Sequence, residues 1–193
     1  MESTTRRTQG VQTGQRSRQV ISRVRDATLA ELERVGFTAM TIEAVARRAG
    51  VNRTTIYRRW PSKAALLAAI AEPLARRYVD LPRTGDTREE LTAAMMAIRD
   101  AWASPEGQAL QAAVGAAKFE LQDLVGDLVE QSMAPLLRVL GEASRRGDLP
   151  ESDVLMVAHL AFQGVTTWQY PGGGPVSDDA CRHMARLLLA DRP

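Results

Sequence analysis

The chain has 193 residues, 45% of them hydrophobic, and a formal net charge of +2, enough to bury a real core in one large or two small domains. No apolar run is long enough to span a bilayer, and the polar start MESTTRRTQGVQTGQRSR lacks the apolar segment of a secretory signal. A single Cys181 excludes an intramolecular disulfide, so the expectation is a cytoplasmic protein with no membrane partner.

Charge is distributed unevenly. Residues 1–80 carry 15 Lys and Arg against 7 Asp and Glu, a balance of +8, whereas the remaining 113 carry 10 against 16. A basic front joined to an acidic remainder points to a polyanionic partner for one part only.

Apolar residues recur at three- and four-residue spacing almost throughout, which predicts an all-α fold. No fixed-period repeat is present, which argues against a solenoid. Residues 1–15 offer little apolar surface to bury and are expected to form a disordered basic tail. A first helix is predicted from about Arg16 to Val35, with Ile21, Val24, Thr28, Leu32 and Val35 on its inner face. Gly36 suits the left-handed residue that closes it, and Phe37 supplies the apolar contact just beyond. Thr41 caps a short second helix with Glu43 in its first turn, and Gly50 stops it. Asn52 caps a third helix, and Ser62 caps a fourth running through Leu66, Leu67, Ile70 and Leu74. Pro73 is expected to kink or shorten the fourth helix, and Pro135 to kink a later one. The segment LPRTGD, 81–86, is the best boundary between a domain of residues 16–80 and one of 81–193. Beyond it, helical patterns cover about 87–103, 105–118, 120–146, 152–169 and 177–190.

A short helix, a tight Gly-containing turn and a second short helix form a helix-turn-helix. On a helical wheel the stretch VNRTTIYRRW places Ile56 and Trp60 together, with Asn52 nearby, facing the core alongside Val45 and Val51. Thr54, Thr55, Tyr57 and Arg58 point the other way, and Arg53 and Arg59 flank the apolar stripe. A solvated face is the ordinary reading of such a pattern, but it leaves Tyr57 unexplained among hydroxyls and arginines. A DNA-reading face accounts for it. Arg53 has the reach and geometry to bond a guanine edge, and Thr54 and Thr55 to meet bases. Tyr57, Arg58, Arg59 and Lys63 can hold phosphates and fix register. Arg47 and Arg48 either approach phosphates or remain solvated, and Arg6, Arg7, Arg16 and Arg18 in the tail add electrostatic attraction or a minor-groove contact.

With GFTAMTIEAVARRAGV followed by NRTTIYRRWPSKAALL, the run from Ile21 to about Leu74 resembles the DNA-binding domain of the tetracycline-repressor (TetR) family of transcriptional regulators. The motifs cover a quarter to a third of the chain, and Trp60 stands where Phe is usual in that family. RRGDLP at 145–150 and the loop YPGGGP at 170–175 resemble parts of its C-terminal domains. The resemblance implies an N-terminal helix-turn-helix domain followed by a larger helical domain that dimerises and binds a small effector. It implies DNA contacts from Arg53, Thr54, Thr55, Tyr57, Arg58, Arg59 and Lys63, with Thr41 touching the backbone. It also implies a repressor, released from a palindromic double-stranded DNA operator by its effector.

In the acidic remainder, the two last helical patterns carry Leu155, Ala158, Phe162, Val165, Met184, Leu187 and Leu188, residues suited either to a homodimer interface or to the subunit's own core. Trp102, Phe119, Met133 and Phe162, with the polar Gln163 and Thr166, are candidates for a pocket taking a hydrophobic or aromatic effector, although such residues more often form core. No cofactor is implied. Catalysis is disfavoured, because neither a nucleophile elbow nor a phosphate-binding Gly-Lys loop occurs. His159, His183 and Cys181 are too few for a metal site. A ligand-free architectural DNA-binding protein is the remaining rival, distinguished by weak sequence preference.

Overall fold

The computed structural model describes residues 9–78, 81, 83–117, 119–168 and 174–190, with side chains from Gly14 onward. Arg6, Arg7, Gln169 and Tyr170, with the first four residues of YPGGGP, lie outside the described residues. Within them the fold is all-α: nine helices and no strand. None of these helices is long and apolar enough to cross a membrane.

Helix α1 (Gln9–Ala39) starts some seven residues earlier than the spacing of apolar residues predicts, and it is interrupted at Gly36, φ 72° and ψ 170°. That positive φ is open to glycine without a side-chain penalty, and the break turns Phe37 (2% exposed) and Met40 (1%) into the core. Helices α2 (Ile42–Ala49), α3 (Arg53–Arg59) and α4 (Lys63–Arg76) follow, each opened by a capping side chain. Thr41 accepts from the Ala44 amide at 3.1 Å, Asn52 from Thr54 at 2.8 Å and Ser62 from Ala65 at 3.1 Å. Each cap satisfies an amide that the first turn of a helix leaves without a partner.

Neither Pro73 nor Pro135 ends its helix. Helix α4 continues past Pro73 to Arg76, and helix α7 (Gln122–Arg146) runs through Pro135 unbroken. In both places flanking packing outweighs one missing hydrogen bond: Ile70, Ala71 and Leu74 are buried beside Pro73, as are Met133 and Leu136 beside Pro135.

The remaining helices are α5 (Thr87–Ala103), α6 (Pro105–Ala116), α8 (Glu151–Thr166) and α9 (Asp178–Leu188). Helix α7 packs along α8 and α5, and α5 also meets α8 and α9. The front of the chain is seated on this body through α1 and α4, which both rest on α6, and through α4, which also meets α7. Two polar anchors reinforce the body. Arg99, 9% exposed, donates to the Val176 carbonyl at 2.8 Å and to Asp178 at 2.7 Å, so it pins α9 to α5. Buried Tyr78, just beyond α4, lies 3.0 Å from the Ser132 hydroxyl of α7.

Candidate nucleic-acid interface

Helices α2 and α3 are joined by Gly50, whose φ of 60° and ψ of 37° put it in the left-handed region, and by Val51 and Asn52. This tight turn sets α3 against α2 through Val45 (0% exposed), Ala46 (5%), Ile56 (0%) and Trp60 (6%). The wheel assignment of Ile56 and Trp60 as anchors therefore holds; Val51 is half-buried and Asn52, which caps the helix, is exposed. On the opposite side Arg53, Thr54, Arg58 and Arg59 are exposed and Thr55 is half-buried. A seven-residue helix is thereby held at one edge, with its hydroxyls and guanidinium groups turned outward.

Tyr57 does not project freely as its wheel position suggested. It is half-buried, its hydroxyl donates to Glu43 Oε1 at 2.7 Å, and the Arg53 guanidinium carbon lies 5.3 Å from its ring centroid. The Arg53 guanidinium also pairs with Glu43 Oε1 at 2.8 Å. One carboxylate oxygen from the first turn of α2 thus collects both Arg53 and Tyr57 of α3. The Tyr57 hydroxyl, with Glu43's own backbone amide and the nearby Arg53 charge, holds the Glu43 carboxyl below its ordinary pKa. Sequence alone assigned Glu43 only to the dipole of α2; the contact to α3 crosses the turn and has no local signature.

Arg59 donates to the Ser17 hydroxyl of α1 at 3.1 Å and lies over the Trp60 ring. Lys63 is more committed than a solvent-facing lysine. Its ammonium donates to the carbonyls of Phe37 and Thr38 at 3.1 and 3.2 Å and lies 4.6 Å from the centroid of the Phe37 ring. Two of its three N–H groups are engaged there, leaving one donor and the charge for another acceptor. Of the arginines of α2, Arg47 is exposed, whereas Arg48 donates to Glu31 of α1 at 2.8 Å. Glu31 is only 4% exposed and also accepts from Arg34 at 2.7 Å. Arg34 first, then Arg48, draws its carboxyl down to a pKa of about 2. Thr41 is committed as the cap of α2, with its side chain at the exposed end of that helix.

The candidate effector residues separate. Trp102 and Phe162 meet edge to face at 6.5 Å, Met133 is buried, and the Thr166 hydroxyl turns back to the Phe162 carbonyl. Gln163 is half-buried on α8. Phe119 stands apart, 92% exposed in the turn before α7. None of the six lines either of two clefts found beside α4, of about 260 and 370 Å³. Of the residues considered for a dimer interface, Ala158, Phe162 and Val165 belong to the subunit's own core. Leu155 (65% exposed) and Leu187 (64%) are free of it. Sequence reading missed Met156, Leu160 and Trp168, which are 51%, 52% and 58% exposed on or beside the same helix.

A helix-turn-helix raised on a helical body, with a basic outer face, is an architecture suited to a DNA-binding regulator. Residues 24–70 match the description "Bacterial regulatory proteins, tetR family", and residues 81–188, more than half the chain, match "Tetracyclin repressor-like, C-terminal domain". The chain belongs to the tetR family and is a helix-turn-helix transcriptional regulator. An uncharacterised HTH-type transcriptional regulator of Mycobacterium tuberculosis is 45% identical over 65 residues, 33% of this chain and 32% of the relative. The chain spans about a third of the length of the curated relatives it matches. Among solved structures, the flavonoid-responsive regulator FrrA superposes with a TM-score of 0.67 at 21% identity, covering 88% of this chain and 93% of that one. FadR of Bacillus subtilis in complex with stearoyl-CoA gives 0.65 at 20% identity, covering 88% and 97%. At these identities the two structures establish the shared fold.

Proposed function

We propose that this regulator is a cytoplasmic repressor that binds a palindromic DNA operator as a homodimer and leaves it when a small hydrophobic or aromatic effector binds. The observation that carries the DNA reading is the outward face of α3. Arg53, Thr54, Arg58 and Arg59 are exposed on a helix whose other edge is locked into the core by Ile56 and Trp60. Arg53 and the two threonines address base edges, while Tyr57, Arg58, Arg59, Lys63 and the Thr41 end of α2 address phosphates. The division of labour is a reading domain of residues 16–80 and an effector and dimerisation domain of 81–193, in keeping with the limits of the two family matches.

Two copies place their α3 helices in successive major grooves about 34–36 Å apart. Leu155, Met156 and Leu160 of α8 and Leu187 of α9, each more than half exposed, form the apolar surface through which the copies pair. An effector that prefers another spacing of the two α3 helices lowers the operator-competent population by its differential affinity. Helix α4 is the connecting lever, because it follows α3 directly and rests on both α6 and α7. The complexes and responses named for FadR and FrrA support an effector-responsive reading.

The test is selection of bound sites from random DNA, followed by affinity measurements on the selected site and on random DNA across a salt series. A palindromic consensus bound more tightly than random DNA at every salt concentration is expected. Equal affinity for both would return the protein to the architectural class.

A further inference from the structure

The two clefts beside α4 share Ala75 and Gln131 and so adjoin along a groove between α4 and α7. Its larger part, about 370 Å³, is lined by Ala75, Tyr78, Gln131, Ala134, Pro135 and Arg138. The smaller part, about 260 Å³, is bordered by Ala68, Ala71, Leu124 and Leu128 on its apolar side and by Glu72, Arg76, Asp127 and Gln131. Volumes of this order suit a small molecule.

Charge is arranged asymmetrically along the groove. In the smaller part Arg76 is paired with Glu72, and Asp127 adds a negative charge, so an anion is unwelcome there. Among the described residues Arg138 is the only charged one lining the larger part, and it makes no ion pair with any of them. Its Nη1 is buried with no hydrogen-bond partner among the described residues. A guanidinium N–H removed from solvent and left unpaired is costly, and buried polar atoms are nearly always satisfied. The neighbouring hydroxyl of Tyr78 is already engaged with Ser132. A carboxylate matches the planar fork of an arginine and supplies the missing opposite charge.

We propose that the α4–α7 groove is a binding site for a small amphipathic carboxylate, its head on Arg138 and its apolar body over Ala75, Ala134 and Pro135 toward Leu124 and Leu128. This deepens the effector reading by naming the ligand class, and it rests on that reading only for its effect on DNA.

Calorimetric titration of the full-length chain with decanoate, decanol and decylamine keeps the tail constant and changes the head. Decanoate is expected to bind more tightly than either of the others. Arg138→Gln weakens decanoate by about 10–100-fold, the scale of a hydrogen bond to a charged group, and leaves decanol unchanged. Ala134→Trp fills the groove at an exposed helical position, keeps the arginine, and abolishes binding of decanoate; circular dichroism confirms that both variants fold. No binding of decanoate, equal binding of decanoate and decanol, or undiminished binding by either variant would overturn the proposal. A separate arm adds decanoate to the protein on its selected operator. Binding without release leaves the groove standing as a carboxylate site and overturns its role as the effector site.

Discussion

Arg53 and Tyr57 meet on a single oxygen of Glu43, so the arginine proposed to read bases is presented from a defined position rather than as a free chain. Lost rotamer freedom is part of any binding cost, and a side chain ordered beforehand loses less. The Glu43 carboxylate also places a negative charge on the face proposed to meet phosphates, which disfavours loose electrostatic binding. Glu43→Gln is therefore expected to raise affinity for random DNA and to lower the operator-to-random affinity ratio by about tenfold, on the order of one charge-assisted hydrogen bond. Fluorescence anisotropy on both DNAs at fixed salt reads it, and an unchanged ratio would refute the role. Glu31 acts on stability instead. Its carboxyl is depressed from 4.5 to about 2 in the folded chain, so its contribution is fully present above pH 4.5 and is lost as the pH falls toward 2. Urea midpoints measured across that window should fall less steeply for Glu31→Gln than for the unmodified chain; parallel curves would show that the ion pairs with Arg34 and Arg48 contribute nothing to the acid limb.

At the scale of elements, the sharpest constraint is where α6 begins. A Cβ on Gly107 would sit 2.4 Å from the carbonyl oxygen of Ala101 and 2.6 Å from that of Trp102, backbone atoms that cannot move aside cheaply. Gly107→Ala is expected to destabilise the fold by about 1–3 kcal/mol, the range for overpacking a tight site. A denaturant midpoint within error of the parent would mean that α5 and α6 can part without cost. The junction matters for function, since α6 is the shelf on which α1 and α4 both rest.

For the whole molecule, the exposed leucines at 155 and 187 belong to the surface proposed to join two copies. In that proposal each reading unit alone addresses half of a palindrome, so coupling two of them raises affinity through effective concentration rather than new contacts. Leu155→Glu combined with Leu187→Glu is expected to give a monomer by sedimentation, with operator affinity falling toward that of a half-site. A dimer that survives both substitutions would place the interface elsewhere.

Much of this was legible in the residues themselves, because it rests on local physics. Helical periodicity, the caps at Thr41, Asn52 and Ser62, the left-handed glycines at 36 and 50, and the two-faced pattern of 51–60 each depend on neighbours within a turn or two. From these the all-α class, the helix-turn-helix and its anchored edge could be read, along with the limits of α5, α6 and α7 to within a few residues. Tertiary structure alone decided whatever depends on pairs far apart in the chain. It turned Tyr57 onto Glu43 across 14 residues and brought Arg48 to Glu31 across 17. It sent Arg99 to Asp178 across 79 and left the Arg138 Nη1 without a partner among the described residues, beside a groove. It also divided the apolar residues of α8 and α9 into core and open surface, which periodicity cannot do when both sides of a helix are apolar. A hydrophobic residue records that it prefers burial; only the packed chain determines whether its own subunit provides it.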